Sequence, residues 1–225
     1  STYLALLLIW DVPYYIFPVI ALICNIFVVS GNCFNYIKAG NFDFKLLYPY
    51  LIGSIPAAYI GGSLSVDKDI FEIILFFVLL SAGITLLINF KSYEDDNNIY
   101  KKISLIYSVP IGAFLGFVSG IVGIGGGIFL SPIMFLLKAA KPKYIVTGAS
   151  LFILINSISG IMGQLSKNFI LNEISSFWLL FMIVIFGGHL GNYLNLKIFP
   201  SRILALITSI LVLFVSTRMG IRLFF

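Results

Sequence analysis

The sequence predicts an all-α integral membrane protein. The expected form is a polytopic helical bundle of two inverted-topology repeats, with a glycine-broken discontinuous or re-entrant helix in the second. Three observations carry this. Of 225 residues, 60% are hydrophobic and 10% are charged, against about 45–50% and about 25% in soluble domains. Seven apolar stretches each come close to the roughly 20 residues that cross a bilayer as a helix. The run "GIVGIGGG" lies inside an apolar stretch too long for one crossing.

The candidate spans are residues 14–36, 46–64, 70–90, 103–122, 144–166, 174–196 and 202–222. Ser1–Trp10 read as the tail of an earlier element, since no basic residue precedes their short apolar run as a signal peptide requires. Cys24 and Cys33 lie nine residues apart, about 13 Å along a helix, and cannot bridge within it. A soluble fold could not hide this much apolar surface. The mean hydropathy of +1.07 agrees. The net charge of +5 sits in short loops, a pattern of membrane orientation rather than a nucleic-acid footprint. The lipid bilayer is thus an expected partner and nucleic acid is not.

Residues 1–225 form a single transmembrane domain in this reading. The polar stretch 91–102 divides it into a first repeat, 1–90, and a second, 103–225. Each half has a long span after a proline turn (Pro13; Pro142). A span with small residues at four-residue spacing follows, Gly53, Ala57 and Gly61 in one half and Gly187 and Gly191 in the other. Such small-residue faces pack helices within a subunit or between subunits, so homo-oligomerisation stays open. Internal repeats of this kind are common in secondary transporters.

Residues 103–138 would make about 54 Å of helix, against a hydrocarbon core about 30 Å thick. The chain must bend at residues 120–127. If it turns back there, ten Lys and Arg share one side: Lys38, Lys45, Lys91, Lys101, Lys102, Lys138, Lys141, Lys143, Lys197 and Arg202. Four remain opposite: Lys68, Lys167, Arg218 and Arg222. A single crossing would split them eight to six. The stronger bias favours the turn-back and inverted halves. Loops 37–45, 91–102, 138–143 and 197–201 are then cytoplasmic and the C-terminus outside. The expected location is a prokaryotic cytoplasmic (inner) membrane.

Gly125, Gly126 and Gly127 are a poor choice inside a helix, at about 1 kcal/mol each relative to Ala. Broken backbone at membrane depth is tolerated only where protein or a watery cavity surrounds it. A helix restarting near Ile128 would present unpaired N–H groups and the positive end of its dipole, a ready anion site. Close packing is the competing explanation, because Gly112, Gly116 and Gly120 form a small-residue stripe. A dinucleotide or phosphate loop is set aside: no strand precedes the glycines and no "GK[ST]" follows.

Amides and hydroxyls punctuate the spans: Asn25, Asn32, Thr147, Ser150, Asn156, Ser157, Ser159, Gln164, His189, Asn192 and Asn195. Polar groups in spans face the bundle interior. Asn25 and Asn156 occupy similar places in the first long span of each half. Structural hydrogen bonding between helices is the alternative role for each. His189, the single histidine, is a candidate for gating or proton-linked movement beside a plain packing role. No Asp or Glu lies deep in a span, which disfavours a carboxylate proton relay. No "HExxH", "GxSxG" or paired intramembrane carboxylates occur, so neither catalytic residues nor a metal or cofactor is expected.

The segment "GAFLGFVSGIVGIGGGIFLSPIMFLL" followed by "KPKYIVTGASLFILINSISG" resembles the TauE/SafE family of sulfite and organosulfonate exporters. The matching positions are Gly123, Gly125, Gly126, Gly127, Pro132, Thr147, Ser150 and Asn156, and "GGHLGNYL" fits the family's penultimate region. The family carries its glycine run twice. This chain carries it once, with Ser1–Trp10 similar to the stretch after a first run. The resemblance implies a transporter of a small sulfur oxyanion, a sulfite or a sulfonate. The expected site has backbone N–H groups of Gly123 and Gly125–Gly127, with Thr147, Ser150, Asn156, Ser157 and Asn25 giving directed hydrogen bonds. An anion channel, a carrier of another small anion and a membrane scaffold remain as rivals.

Overall fold

A computed structural model describes residues 13–38, 40, 42–89, 104–137, 139–167, 177–197 and 201–224. Ser1–Trp10 and loop 91–102 lie outside them. Among the described residues there are eight helices and no strand. They are α1 (Phe17–Lys38), α2 (Phe44–Ser63), α3 (Lys68–Asn89), α4 (Leu105–Val122), α5 (Gly127–Leu136), α6 (Pro142–Leu165), α7 (Trp178–Lys197) and α8 (Ser201–Phe224). Seven coincide with the expected spans to within four residues at each end. Residues 124–138, too short to span, supply α5.

Five helices, α1, α3, α4, α6 and α8, contain stretches long and apolar enough to cross a membrane. Of the other two expected spans, α2 has the length but not the apolarity. α2 contains Pro49 and Pro56 and is wedged between α4 and α6, so much of its surface meets protein. Among the described residues α7 is apolar over Trp178–Gly188. Outward-facing apolar side chains are frequent, with Ile106 77% and Phe186 73% exposed. In water that surface would be unfavourable; in lipid it is solvated.

Helix directions follow from side-chain order. Gly112, Gly116 and Gly120 of α4 meet Tyr50, Ser54 and Ala58 of α2 in rising sequence, so α2 and α4 run the same way. Ser159 Oγ donates to the Ile55 carbonyl at 2.7 Å and Gly163 meets Tyr59, so α6 runs with them. In contrast, Gly83 of α3 meets Leu213 while Gly220 of α8 meets Phe76, an antiparallel pair. α5 links the two parallel helices α4 and α6. Gly125 lies beside Ile153 and Ser157, Gly127 beside Ile153 and Ala149, and Leu130 and Met134 share a core with Ile145. The order falls along α6 as it rises along α5, so α5 runs against α6. Lys68, Lys167, Arg218 and Arg222 lie towards one end of the bundle, and Lys38, Lys45, Lys141 and Lys143 towards the other.

Backbone rules set the helix ends. Asp43 caps α2, its Oδ1 accepting from Lys45 N at 2.9 Å. Pro142 opens α6, where its missing N–H leaves no helical bond unmade. Two apolar cores result. One joins α1, α3, α8 and the end of α4 around Phe17, Leu75 and Val122. The other joins α2, α4, α5 and α6 around Tyr50, Leu130 and Phe152. The α2–α4 seam between them has almost no side chain: a Cβ on Gly112, Gly116 or Gly120 would run into the carbonyl of Tyr50, Ser54 or Ala58. The other small-residue pair differs, since a Cβ on Gly187 or Gly191 would meet nothing within 4 Å among the described residues. Cys24 and Cys33 are both buried free thiols.

Because a backbone carbonyl cannot rotate aside as a side chain can, Gly116→Ala must push α2 and α4 apart. It is expected to lower stability by about 1–3 kcal/mol, read as a fall in the thermal midpoint of detergent-purified protein. Gly148→Ala, whose Cβ would enter open space, is expected to leave the midpoint unchanged or raised.

Candidate functional site: the glycine break between α4 and α5

α4 ends because Gly123 adopts the left-handed conformation, at φ 85°, with its N–H on the Ser119 carbonyl at 2.8 Å. Gly125 and Gly126 are also left-handed, at φ 80° and 72°. Side chains seldom tolerate one such residue, and three within four positions account for the glycines here. α5 restarts at Gly127, and Gly126 O accepts from Phe129 N and Leu130 N at 3.2 Å each.

Between the last bond of α4 and the first of α5 lie the N–H groups of Ile124, Gly125, Gly126, Gly127 and Ile128. Among the described residues none of the five finds an acceptor. Ile124 and the three glycines are buried. Two of the five belong to the first turn of α5, where unpaired amides and the positive dipole end coincide.

Two carbonyls of the break have side-chain donors. Asn25 Nδ2, from the third turn of α1, donates to Gly123 O at 3.0 Å. Gln164 Nε2, from the last turn of α6, donates to Gly120 O at 3.0 Å. Both side chains are buried. Two of the acceptors freed by the break are thus covered by side-chain amides. Five amide donors gather at the break, two of them at the positive end of the α5 dipole.

α6 supplies the facing wall. Ala149, Ile153 and Ser157 recur at four-residue spacing and so share one face. A Cβ on Gly125 would lie 2.7 Å from Ile153 Cγ2, 3.0 Å from Asn25 Nδ2 and 3.3 Å from Ser157 Oγ. Ser157 is fully buried and its hydroxyl has no partner. Asn156, also fully buried, spends its Nδ2 on the Phe152 carbonyl at 2.9 Å and leaves Oδ1 unpaired. Phe152, one turn earlier, abuts Gly126. The described carboxylates Asp43, Asp67, Asp69 and Glu72 all lie in turns or the first two turns of a helix, away from this wall.

Of the residues expected at the site, the fold brings together Gly123, Gly125, Gly126, Gly127, Asn25 and Ser157, with Asn156 on the adjoining face. Thr147 and Ser150 are not brought there. Their hydroxyls donate back to the Lys143 and Val146 carbonyls at 2.8 and 2.9 Å. They precede Ser157 along α6 by about 15 and 10 Å. His189 belongs to α7, which packs on α1, and its side chain falls outside the described residues. Gln164 joins the site unforeseen. Its seven-residue spacing from Ser157, two turns on nearly the same face, was the available sign.

An open cavity of about 230 Å³ lies at the end of the bundle nearest the break. Pro18 and Ile121, which line it, neighbour the break directly: Pro18 abuts Gly123, and Ile121 precedes it by two residues. Gln164 and Lys167 line it too, and Lys167 Nζ donates to Gln164 Oε1 at 3.1 Å. Burial lowers the Lys167 pKa from the ordinary 10.5. Among the described residues there is no cluster of metal-ligating side chains.

Removing either side-chain cap strands a buried carbonyl. Asn25→Leu and Gln164→Leu are each expected to cost about 1–3 kcal/mol, seen as lower thermal midpoints. Ser157→Ala deletes a hydroxyl with no protein partner and is expected to leave the midpoint unchanged; a large drop would make that hydroxyl a structural one.

The family described as "Sulfite exporter TauE/SafE" matches residues 2–219. "Probable membrane transporter protein y4hK" of Sinorhizobium fredii is 24% identical, over 86% of this chain and 78% of its own length. "Probable membrane transporter protein YunE" of Bacillus subtilis is 29% identical, over 86% and 76%. "Probable membrane transporter protein MJ0441" of Methanocaldococcus jannaschii is 27% identical, over 83% and 74%. No solved structure matches the chain. A helical bundle with five membrane-crossing helices, matched over nearly its whole length, makes this chain a multi-pass membrane transporter that belongs to the sulfite exporter TauE/SafE family.

Proposed function

We propose that this chain is a secondary transporter that exports small sulfur oxyanions, sulfite or organosulfonates, and binds the anion at the glycine break. One observation carries the reading. Five backbone N–H groups without an acceptor among the described residues gather between α4 and the first turn of α5, beside the unpartnered hydroxyl of Ser157. Unpaired donors are expensive inside a bilayer, where no water covers them. An oxyanion offers several strong acceptors at once, and the dipole of α5 adds attraction. The family description supplies the sulfur class.

In this reading Gly125–Gly127 hold the anion through their amides. Ser157 and Asn25 lie against the bound group, and Asn156 turns its free Oδ1 toward any proton the cargo carries. Thr147, Ser150 and His189 stand further off and are assigned to the path rather than the binding site. In the present conformation Ile153 fills the space beside Gly125, so the site is closed and must open for exchange. Residues 1–90 and 103–225 form the two inverted repeats, and α4–α5 is the re-entrant pair. Rocking of the halves about the break gives access to each side in turn. The Lys-rich loops 37–45, 138–143 and 197–201 face the cytoplasm of the cell that carries the protein in its inner membrane.

The test is anion efflux from proteoliposomes loaded with sulfite or taurine. Gly125→Ala places a methyl between Asn25 and Ser157 in a left-handed conformation, and is expected to abolish efflux. Ser157→Ala removes one hydrogen bond to a charged ligand, about 1.5–3 kcal/mol, and is expected to lower kcat/KM by about tenfold to a hundredfold. Wild-type efflux by a well-folded Gly125→Ala protein would remove the break from the site. As a ligand screen, sulfite or taurine at 100 times its Kd is expected to stabilise the purified protein by about 2.7 kcal/mol. Absence of any shift with sulfite, sulfate, thiosulfate, taurine and sulfoacetate would favour a scaffold.

A further inference from the structure

The geometry points to a second anion site: the cavity at the end of the bundle opposite the cytoplasmic loops captures a small, singly charged oxyanion on Lys167 as it leaves the break. This deepens the reading above and rests on it. The cavity of about 230 Å³ lies between the start of α1, the α2–α3 turn and the end of α6. A liquid water takes about 30 Å³, so a small oxyanion fits with part of its hydration shell.

Lys167 is the cation of this cavity. Its ammonium has three donors, and one goes to Gln164 Oε1 at 3.1 Å. The remaining two have no partner among the described residues. Lys68, also at this end, differs, since Glu72 lies 3.9 Å from it. Asp67 and Asp69 flank Lys68, yet neither comes within ion-pair distance of Lys167. Lys167 is half-buried, so water screens its charge less than that of a surface lysine.

Gln164 ties this cation to the break. It accepts from Lys167 on one side and donates to Gly120 O on the other. An anion on Lys167 therefore sits one side chain away from the end of α4. Leu64, Val66, Phe71 and Ile121 supply apolar lining that can lie against the alkyl part of a sulfonate, and Tyr14, Tyr15 and Ser65 line the cavity too. Lys167 is the one cation among the described lining residues, so the second charge of a dianion has no counter-ion there, and a half-desolvated unpaired charge is costly. Single charge is thus the selected property.

The test uses the full chain in detergent and in proteoliposomes. Lysines of the wild type are acetylated with an uncharged reagent, and each is followed by peptide mass spectrometry. Methanesulfonate is expected to slow modification of Lys167 by about tenfold while leaving Lys45 and Lys143 unaffected, and sulfate to protect far less. In proteoliposomes, with methanesulfonate supplied on the face that carries Lys167, Lys167→Gln is expected to raise its KM about tenfold with kcat within about twofold, and Lys167→Arg to restore it. No selective protection of Lys167, or an unchanged KM in Lys167→Gln, overturns the capture site even where transport is intact. Selective protection in a protein that moves no anion upholds the capture site and overturns the transport reading instead.

Discussion

Inside hydrocarbon a backbone amide must be bonded or it destabilises the fold, and the break between α4 and α5 is organised around that constraint. A helix that stops leaves both donors and acceptors behind. Here two acceptors are closed off individually: Gly120 O by Gln164 and Gly123 O by Asn25. The amides from Ile124 to Ile128 have no acceptor among the described residues. Two of them sit at the start of α5, where the positive end of its dipole makes a neutral stretch of chain electropositive without a charged side chain. The described carboxylates all lie near helix ends, so none of them opposes that polarity.

The seam between α2 and α4 is what holds the break in place. Backbones this close require residues without side chains, and α4 provides them at Gly112, Gly116 and Gly120, one per turn. α2 is then sandwiched between α4 and α6, which fixes those two helices relative to one another. Ser159 adds a bond from α6 to the Ile55 carbonyl of α2. The break therefore hangs between two helices whose spacing is set by contacts some distance from it. α1 approaches from the other side and contributes Pro18, Ala21 and Asn25 to its surroundings.

Much of this architecture is written in local sequence. Apolar runs and polar turns place seven helices closely, because a bilayer imposes one length on every crossing. The break is legible too, since three adjacent glycines in an apolar run have few other uses. What local sequence does not carry is which way a hydroxyl turns. Thr147 and Ser150 satisfy themselves on the preceding turn of their own helix, an option open to any Ser or Thr in a helix. Ser157 does not, and nothing in its neighbours along the chain distinguishes it. Gln164 was equally hidden, because its partner is a carbonyl on another helix 44 residues away. Gly53 and Gly61 announced a packing face but not their partner, and Gly187 and Gly191 announced one that no described neighbour meets within 4 Å.

Left-handed geometry at Gly123, Gly125 and Gly126 has one more consequence. Those positions have no room for chemical variety, because any added atom meets strain or a neighbour. The loop can therefore present only one surface, a fixed array of amides. Under the proposed function, discrimination between one guest and another is encoded in the side chains that frame the array: Asn25, Ile153 and Ser157. A protein built this way can change its taste by altering α1 and α6 alone, with the turn between α4 and α5 kept as a constant and the framing helices as the editable part.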